Sequence, residues 1–292
     1  MIEVNLTDGS AFHLLSVVTE TFPCGESLVK FDLQEDVNKI KYTDMHIVIL
    51  FKWSSNNDLI QLLLIVDSIR SINPLIDIHL SMAYFPYGRQ DRVSNPGEPN
   101  STRVIASLIN SCNFKVVYVI DPHSDVIEAS INNIVIVHQH ELFVDYFDDK
   151  FCKYDAVVCP DAGAYKKVTQ FAKLMNVSGH RIGIVRADKS RDTMTGAITS
   201  IDVNATKEDI EDNTFMILDD ICDGGGTFVG LAKKLKEMGA YQVDLFVTHG
   251  MFTKGVDNML KHIDNIYCWG FYGDKSFKDK ISVVGGSVYE RS

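Results

Sequence analysis

One stretch decides the fold: Thr214-Phe215-Met216-Ile217-Leu218-Asp219-Asp220-Ile221-Cys222-Asp223-Gly224-Gly225-Gly226-Thr227-Phe228. Its first five residues are mostly bulky and apolar, which predicts a buried parallel strand that ends at the two acids. From Phe228 to Met238 apolar residues recur at helical spacing, and Gly239 stands where a helix stop is expected. A glycine loop between a strand and a helix lets backbone N–H groups close on an anion, and the helix N-terminus adds positive potential. The stretch therefore predicts a phosphate-binding loop.

Two common phosphate loops do not match this stretch. A Walker loop ends in Gly-Lys-Ser/Thr, whereas Gly230 is followed by Leu231-Ala232. A dinucleotide-binding fingerprint needs Gly or Ala where Val229 stands. Carboxylates next to a phosphate would repel it, so the acids suit sugar hydroxyls or a metal ion. An ordinary strand–helix turn with solvated acids stays open as the alternative.

Composition excludes several classes of function. The 292 residues carry a formal net charge of -11, which argues against a nucleic-acid partner because phosphate backbones need clustered Lys and Arg. The longest apolar run, near Leu62–Val66, is too short to cross a bilayer, and acidic residues precede any hydrophobic segment at the N-terminus. The six cysteines are scattered in mostly apolar surroundings, as reduced thiols are. We expect a cytoplasmic protein that binds neither nucleic acid nor membrane.

Strands alternate with helices through both halves of the chain. This order predicts an α/β fold with two similar domains, each a mostly parallel sheet flanked by helices. We place the first domain at residues 1–142 and the second at residues 143–292.

Three further segments are candidates for binding or chemistry. Tyr84–Arg92 mixes aromatic rings with two arginines, which suits a nucleotide base and its phosphates. Asp121-Pro122-His123 follows a buried strand, where open α/β sheets place ligands. Ala187–Gly196 reads as a polar loop with two cations, Lys189 and Arg191. A salt-bridged aromatic surface loop, an exposed histidine and a solvated hairpin are the respective alternatives.

Taken in order, these segments resemble the ribose-phosphate pyrophosphokinases (PRPP synthetases), whose domains are of the type I phosphoribosyltransferase kind. The resemblance covers roughly residues 22–252. The motifs that carry it are Phe22-Pro23-Cys24-Gly25-Glu26, Tyr84-Phe85-Pro86-Tyr87-Gly88-Arg89-Gln90-Asp91-Arg92, Asp121-Pro122-His123, Pro160-Asp161-Ala162-Gly163, Asp188-Lys189-Ser190-Arg191, Asp219 to Thr227, and Thr248-His249-Gly250.

The resemblance implies a Mg²⁺-dependent transfer of the diphosphate of ATP to a sugar phosphate, in an enzyme that forms dimers or hexamers. It implies catalytic roles for Lys189 and Arg191 on a flexible loop, and metal binding by His123 and Asp161. The residues implied in ATP binding are Phe22, Glu26, Arg89, Gln90, Asp91 and His123. Those implied in ribose-phosphate binding are Asp161, Asp219, Asp220, Asp223, Gly224, Gly225, Gly226 and Thr227.

Two departures from the family pattern bear on the substrates. Cys24 stands where the family usually has Asp, and Gly224 replaces a usual Thr, which makes that wall of the sugar-phosphate pocket roomier. Ribose 5-phosphate is the default acceptor, and a substituted phosphate such as ADP-ribose is the alternative, in a reaction that would feed NAD salvage. A phosphoribosyltransferase and a non-catalytic regulatory relative are further alternatives.

Overall fold

A computed structural model describes residues 2–147, 153–177, 179, 182–191 and 198–285. Contacts between Cα atoms divide the chain into two compact units, of which the first extends to Val137 and the second begins at His138. The boundary that we placed after residue 142 falls inside the helix Gln139–Phe147. Each unit has its own sheet of mostly parallel strands, so the predicted α/β class is confirmed.

The first unit is built on a six-stranded sheet. Its elements are β1 (Ile2–Thr7), β2 (Phe12–Leu15), β3 (Val17–Thr21), β4 (Ser27–Phe31), α1 (Gln34–Lys41), β5 (His46–Phe51), α2 (Asn56–Ile72), β6 (Ile78–Met82), α3 (Ser101–Ser111), β7 (Val116–Ile120), α4 (Asp125–Ser130) and β8 (Ile134–Val137). The strand order is β2-β1-β5-β6-β7-β8, with β5 to β8 parallel and β1 antiparallel to both of its neighbours. Strands β3 and β4 form a separate hairpin.

Helix α2 begins at a capped N-terminus. The Asp58 carboxylate accepts hydrogen bonds from the backbone N–H groups of Ser54 (2.6 Å) and Ser55 (2.8 Å), and Ser55 completes a capping box. Burial would raise the pKa of Asp58, but these hydrogen bonds outweigh it and hold that pKa below its ordinary value. The helix then packs Leu62, Ile65 and Ile69 into the core of the first unit.

The second unit is built on a seven-stranded sheet in the order β11-β10-β9-β12-β13-β14-β15. Only β11 is antiparallel to its neighbour; the other pairs are parallel. The elements are α5 (Gln139–Phe147), β9 (Ala156–Cys159), α6 (Tyr165–Val177), β10 (Gly183–Arg191), β11 (Ile198–Val203), α7 (Lys207–Ile210), β12 (Thr214–Cys222), α8 (Gly226–Glu237), β13 (Gln242–Gly250), β14 (Asn265–Phe271) and β15 (Ser282–Val283), with 3₁₀ helices at Met259–Lys261 and Lys275–Lys280.

Strand β12 lies in the middle of this sheet and is buried on both faces. Phe215 and Ile217 point into a core shared with α8, whereas Met216 and Leu218 point into a second core that includes Phe171 of α6. Apolar residues at consecutive positions are needed only where helices cover both faces of a sheet. The apolar run that opens the deciding stretch therefore forms a parallel strand buried on both faces, as its composition predicts.

Two segments differ from the sequence-based expectation. Strand β12 continues through both acids to Cys222, because β13 runs alongside it and pairs Gly250 with Cys222. The predicted polar loop Ala187–Gly196 is wrong for residues 187–191, which continue β10 and pair with β11. The part of that predicted loop at residues 192–197 lies outside the described residues.

Candidate functional site

The acids of the deciding stretch lie at the carboxyl end of β12. Asp219 is paired with Val247 of β13, and Asp220 is buried with 6% of its surface exposed. The side chains of neighbouring strand residues start on opposite faces of the sheet, but the Asp219 and Asp220 carboxyl groups come close enough to interact with each other. Asp223 is three positions after Asp220, in the turn that leads to α8.

The surroundings of Asp219 disfavour its ionised form. Burial, the neighbouring Asp220 carboxylate and Asp161 all raise the pKa of Asp219 well above its ordinary value, against one backbone hydrogen bond from the N–H of Asp220 (2.9 Å) that lowers it. A group in this situation gains from any ligand that donates hydrogen bonds or brings positive charge. Sugar hydroxyls and a cation are such ligands, as the sequence predicts.

The glycine loop forms the N-terminus of α8. Gly225 caps the helix with φ of +74°, a left-handed conformation that favours glycine. A Cβ at Gly225 would lie 2.5 Å from the sulfur of Met259, whereas among the described residues no atom lies within 4 Å of a Cβ built at Gly226. Thr227 stands in the first turn of the helix. Backbone N–H groups at such a position favour an anion.

A neighbouring turn, residues 252–255, is fastened to this loop. The Thr253 hydroxyl donates to the Asp223 carboxylate (2.7 Å), and the Thr253 N–H donates to the Asp223 carbonyl (3.0 Å). Lys254 follows, and its side chain crosses the space beside Gly224, where a Cβ would lie 3.3 Å from Cδ and 3.4 Å from Cε of the lysine. The space that Gly224 leaves is thus lined by a lysine stem.

Asp161 and Lys189 meet at the carboxyl ends of β9 and β10. The Lys189 ammonium forms an ion pair with the Asp161 carboxylate, which also accepts from the N–H of Ala164 (3.1 Å). Lys189 lies within strand β10, so its backbone is held by β11. Arg191 ends β10, but its side chain lies outside the described residues.

Gln139 supports the acids, and we did not single it out from the sequence as a site residue. Its side-chain amide donates to the carbonyl oxygen of Asp219 and to the Thr248 hydroxyl (3.1 Å), and it is 5% exposed. The amide thus joins the ends of β12 and β13. A single glutamine between two histidines forms no sequence pattern that indicates this role. Lys254 was also missed, because it lies in a turn after a strand and belongs to no motif.

The candidate ATP-binding segment of the first unit is organised by α2 and α3. Tyr87 donates from its hydroxyl to the side-chain oxygen of Asn56, the first residue of α2 (2.7 Å). Gln90 accepts a hydrogen bond from the Ser101 hydroxyl at the start of α3, and Asp91 accepts from the Asn100 amide through its carbonyl (2.8 Å). These contacts fix the backbone and leave the Arg89 side chain exposed.

Gly88 brings this segment against the predicted metal ligand. A Cβ at Gly88 would lie 3.7 Å from Cβ of His123 and 2.9 Å from Cδ1 of Ile127. His123 itself is exposed and follows β7 and the buried Asp121. The structure therefore places the segment with Arg89 and Gln90 beside His123, as shared binding of ATP would require.

The turn with Phe22 and Glu26 joins β3 to β4. The N–H of Phe22 donates to the carbonyl of Glu26 (2.7 Å), and Gly25 has φ of +95°. Both side chains are exposed. The Ser27 hydroxyl donates to Asn57 in the first turn of α2 (2.7 Å), so this turn and the Arg89 segment are anchored on the same helix end.

Two findings concern metals and membranes. In the part of the chain that the structure describes, no group of three or more His, Cys, Asp and Glu side chains could hold a metal ion. Mg²⁺ is usually held by one or two carboxylates together with substrate phosphates, so single residues such as His123 and Asp161 fit a metal that arrives with a nucleotide.

None of the helices that the structure describes has the length and apolar character to span a membrane.

Comparison with protein families identifies both units. The model described as the N-terminal domain of ribose phosphate pyrophosphokinase matches residues 4–112. The model described as the phosphoribosyl transferase domain matches residues 130–269. The two matches follow each other along the chain without overlap.

Several known proteins are similar over most of this chain. The ribose-phosphate pyrophosphokinase of Mycoplasmopsis pulmonis is 28% identical over 256 residues, which cover 86% of this chain and 74% of that protein. The ribose-phosphate pyrophosphokinase of Thermococcus kodakarensis is 25% identical over 255 residues, 87% of this chain and 84% of that protein. The crystal structure of phosphoribosylpyrophosphate synthetase from Mycobacterium smegmatis matches with a TM-score of 0.73 at 22% identity, over 88% of this chain and 80% of that one, and has the same fold.

Proposed function

Because the chain belongs to the ribose-phosphate pyrophosphokinase family, we propose that it transfers the β,γ-diphosphate of ATP to the anomeric hydroxyl of a 5-phosphoribosyl sugar. The default acceptor is ribose 5-phosphate, which gives PRPP and AMP. The observation that carries the proposal is the pair Asp219 and Asp220 at the end of β12, followed directly by the glycine N-terminus of α8. Acids for the sugar hydroxyls and backbone N–H groups for its phosphate thus stand next to each other.

The transfer forms one bond and breaks another. The anomeric oxygen bonds to the β-phosphorus, the bond from that phosphorus to the oxygen of AMP breaks, and the hydroxyl proton is released. Negative charge accumulates on the phosphoryl oxygens, so positioned cations carry most of the catalysis. His123 would hold Mg²⁺ near the phosphates of ATP, and Asp161 would lie near the ribose and a second metal ion; these ions would supply charge neutralisation.

The residues of this chain have distinct tasks in the proposal. Lys189 and Arg191 stabilise charge on the transferring group, and the Asp161 ion pair holds Lys189 until a phosphoryl oxygen replaces the carboxylate. Arg89, Gln90 and Asp91 bind ATP, and Phe22 and Glu26 help to enclose the adenine that a neighbouring subunit binds. Asp219, Asp220 and Asp223 bind the ribose hydroxyls, and the loop from Gly224 to Thr227 binds the phosphate.

A second acceptor is supported by the space beside Gly224. A phosphate that carries a substituent, as in ADP-ribose, needs room at the wall of the loop. Residue 224 has no side chain there, and the flexible stem of Lys254 that borders this space would move aside for the substituent. Separate incubations of the purified protein with ATP, Mg²⁺ and either ribose 5-phosphate or ADP-ribose decide between the two. Release of AMP with ribose 5-phosphate supports the default, release only with ADP-ribose overturns it, and release with neither contradicts the proposed function.

The remaining parts of the proposal concern the state of the protein. We propose a homo-oligomer, because the family assembles into dimers and hexamers. We also propose a cytoplasmic location, because the five described cysteines are unpaired, as thiols are in a reducing compartment. A non-catalytic regulatory relative would be expected to lack the loop cations, whereas Lys189 is present and held at the candidate site.

A further inference from the structure

The turn after β13 brings a lysine to the sugar-phosphate loop. Lys254 packs its stem beside Gly224, with Cδ, Cε and Cγ at 3.3, 3.4 and 3.6 Å from the position that a Cβ of residue 224 would occupy. The ammonium group is one bond beyond Cε. It therefore lies next to the backbone of the loop at which the proposal places the phosphate.

The position of Lys254 is fixed from both sides. Thr253 is hydrogen-bonded to Asp223 by its hydroxyl and its N–H (2.7 and 3.0 Å). Gly255 has φ of +71°, and a Cβ there would lie 3.0 Å from the ring of Phe277. The lysine stem can pack against the loop so closely because Gly224 lacks a side chain, while Gly255 allows the left-handed turn that follows beside Phe277.

The Lys254 ammonium has no ion-pair partner among the described residues. Some other lysines of the second unit are paired, for example Lys280 with Asp257 (2.6 Å) and Lys236 with Asp264 (2.7 Å). Across the described residues, no carboxylate lies within ion-pairing distance of the Lys254 ammonium. An unpaired cation beside an anion-binding loop, in a chain of net charge -11, favours a ligand that is itself an anion.

We propose that Lys254 binds the phosphate on the fifth carbon of the acceptor sugar and determines which acceptors the glycine loop accepts. This inference rests on the proposed function. Gly224 has no side-chain donor, and Lys254 supplies a cation through the gap that the glycine leaves. Because a lysine stem is longer and more adaptable than a side chain in the loop, the same ammonium can follow the phosphate of ribose 5-phosphate or the first phosphate of ADP-ribose.

The test is binding of each acceptor to the full-length protein without ATP, measured by titration calorimetry. Lys254→Met keeps the apolar stem and removes the charge. A charge-assisted hydrogen bond to phosphate is strong, so we expect at least about a tenfold loss of affinity for the preferred acceptor. Lys261→Met, at another exposed lysine of the same unit, is the control and is expected to change affinity less than about twofold.

The outcomes separate this inference from the proposed function. If wild type binds neither ribose 5-phosphate nor ADP-ribose, the proposed function is contradicted and the inference with it. If wild type binds an acceptor and Lys254→Met binds it equally tightly, the inference is wrong while the function stands. If wild type binds an acceptor and Lys254→Met binds it at least about tenfold more weakly, the inference is supported, and a larger loss for one acceptor than for the other shows that the lysine also sets the preference between them.

A double-mutant cycle tests the pairing with Gly224. Gly224→Val adds the bulk of a threonine without its hydroxyl and forces the Lys254 stem aside. We expect Gly224→Val to weaken acceptor binding in the wild-type background by at least about threefold and to have little further effect in the Lys254→Ala background. An equal loss in both backgrounds would show that the valine acts on the loop alone, and would overturn the pairing.

Discussion

The Lys189 ammonium and the Asp161 carboxylate form an ion pair at the ends of two neighbouring parallel strands, β9 and β10. Their side chains are 22% and 27% exposed. Burial would raise the pKa of Asp161, but Lys189 and the N–H groups of Ala164 and Gly163 outweigh it and hold that pKa below its ordinary value. The acid is therefore ionised and Lys189 is occupied, so a phosphoryl group must compete with Asp161 for this cation.

Loss of the Lys189 charge should slow the transfer. We expect Lys189→Met to lower kcat on the order of a hundredfold or more, because a cation that meets charge in the transition state contributes a few kcal/mol. The measurement is the rate of AMP release with saturating ATP and acceptor. Lys233→Met, at an exposed lysine of α8, is the control. Equal rates for wild type and Lys189→Met would remove the catalytic role of this lysine.

The Asp219 carboxylate should bind the acceptor sugar but lower the free energy of unfolding. Its pKa is raised in the folded protein by burial and by Asp220, so the unfolded chain ionises more readily and the fold loses stability as pH rises above about 4. Asp219→Asn cannot ionise. We expect it to raise Tm by about 3 °C or more at pH 7.5 and to weaken acceptor binding at least about tenfold.

Calorimetry and thermal unfolding of the same preparation check both halves of this prediction. Asp202→Asn, at an exposed acid of β11, should change neither quantity. An unchanged acceptor affinity in Asp219→Asn would mean that the end of β12 does not hold the sugar. A lowered Tm in Asp219→Asn would show that the Asp219 carboxylate stabilises the fold, which contradicts the stability argument drawn from its raised pKa.

The candidate site was predictable wherever chemistry and chain order coincide. The acids and glycines of the deciding stretch are contiguous, so one strand–loop–helix unit brings them together. Their residue types indicate a ligand with a phosphate and with hydroxyl groups or a metal ion. Gln139 lies 80 residues before Asp219 in the chain, and only the packing of α5 against the ends of β12 and β13 brings the two together. Lys254 is near the loop for the same reason: a turn of the next strand is tied back to Asp223.

The errors in the local structure have one physical cause. Polar residues such as Asp219 and Lys189 read as loop, because single-sequence patterns reward apolar alternation. In the fold the neighbouring strands β13 and β11 extend just as far, and their backbone hydrogen bonds keep these residues in strands. Tertiary pairing overrides local composition here.

Gln139 should act as a positioning residue. Gln139→Leu keeps the volume but removes the donor to the Asp219 carbonyl and the Thr248 hydroxyl. We expect KM for the acceptor to rise about tenfold with KM for ATP unchanged, because leaving buried acceptors without partners lets the ends of β12 and β13 shift. Gln242→Leu is a matched control, since it removes a hydrogen bond to Asp244 at the other end of β13 (2.8 Å). A similar rise in both variants would indicate a general loss of stability instead.

The first unit should lose stability in mild acid through His79. Burial of its imidazole and the facing ring of His46, with centroids 4.5 Å apart, lower the pKa of His79 from 6.5 to about 4. The unfolded chain therefore binds this proton first, and stability falls as pH drops from about 6.5 to 4. After allowance for solvent screening we expect a loss of about 1–2 kcal/mol.

Denaturant unfolding at pH 7.5 and 4.5 measures this effect. His79→Gln cannot take up the proton, so its loss of stability between the two pH values should be smaller than that of wild type by the same amount. His13→Gln, at an exposed histidine of β2, should behave as wild type. An identical pH dependence in wild type and His79→Gln would assign the acid sensitivity to other groups.

Gly225 should be required for the shape of the phosphate loop. It combines φ of +74° with a Cβ position 2.5 Å from the sulfur and 3.0 Å from Cγ of Met259. A left-handed conformation costs a residue with a side chain about 1 kcal/mol, and displacement of Met259 adds to it. We expect Gly225→Ala to lower Tm by several degrees and to abolish measurable acceptor binding. Gly179→Ala is the control, because Gly179 also has a left-handed φ, of +90°, but lies outside the loop, and its Cβ would meet no atom of the described chain within 4 Å. If Gly225→Ala binds the acceptor as wild type does, the anion is not held by this turn, and the phosphate must be sought elsewhere on the second unit.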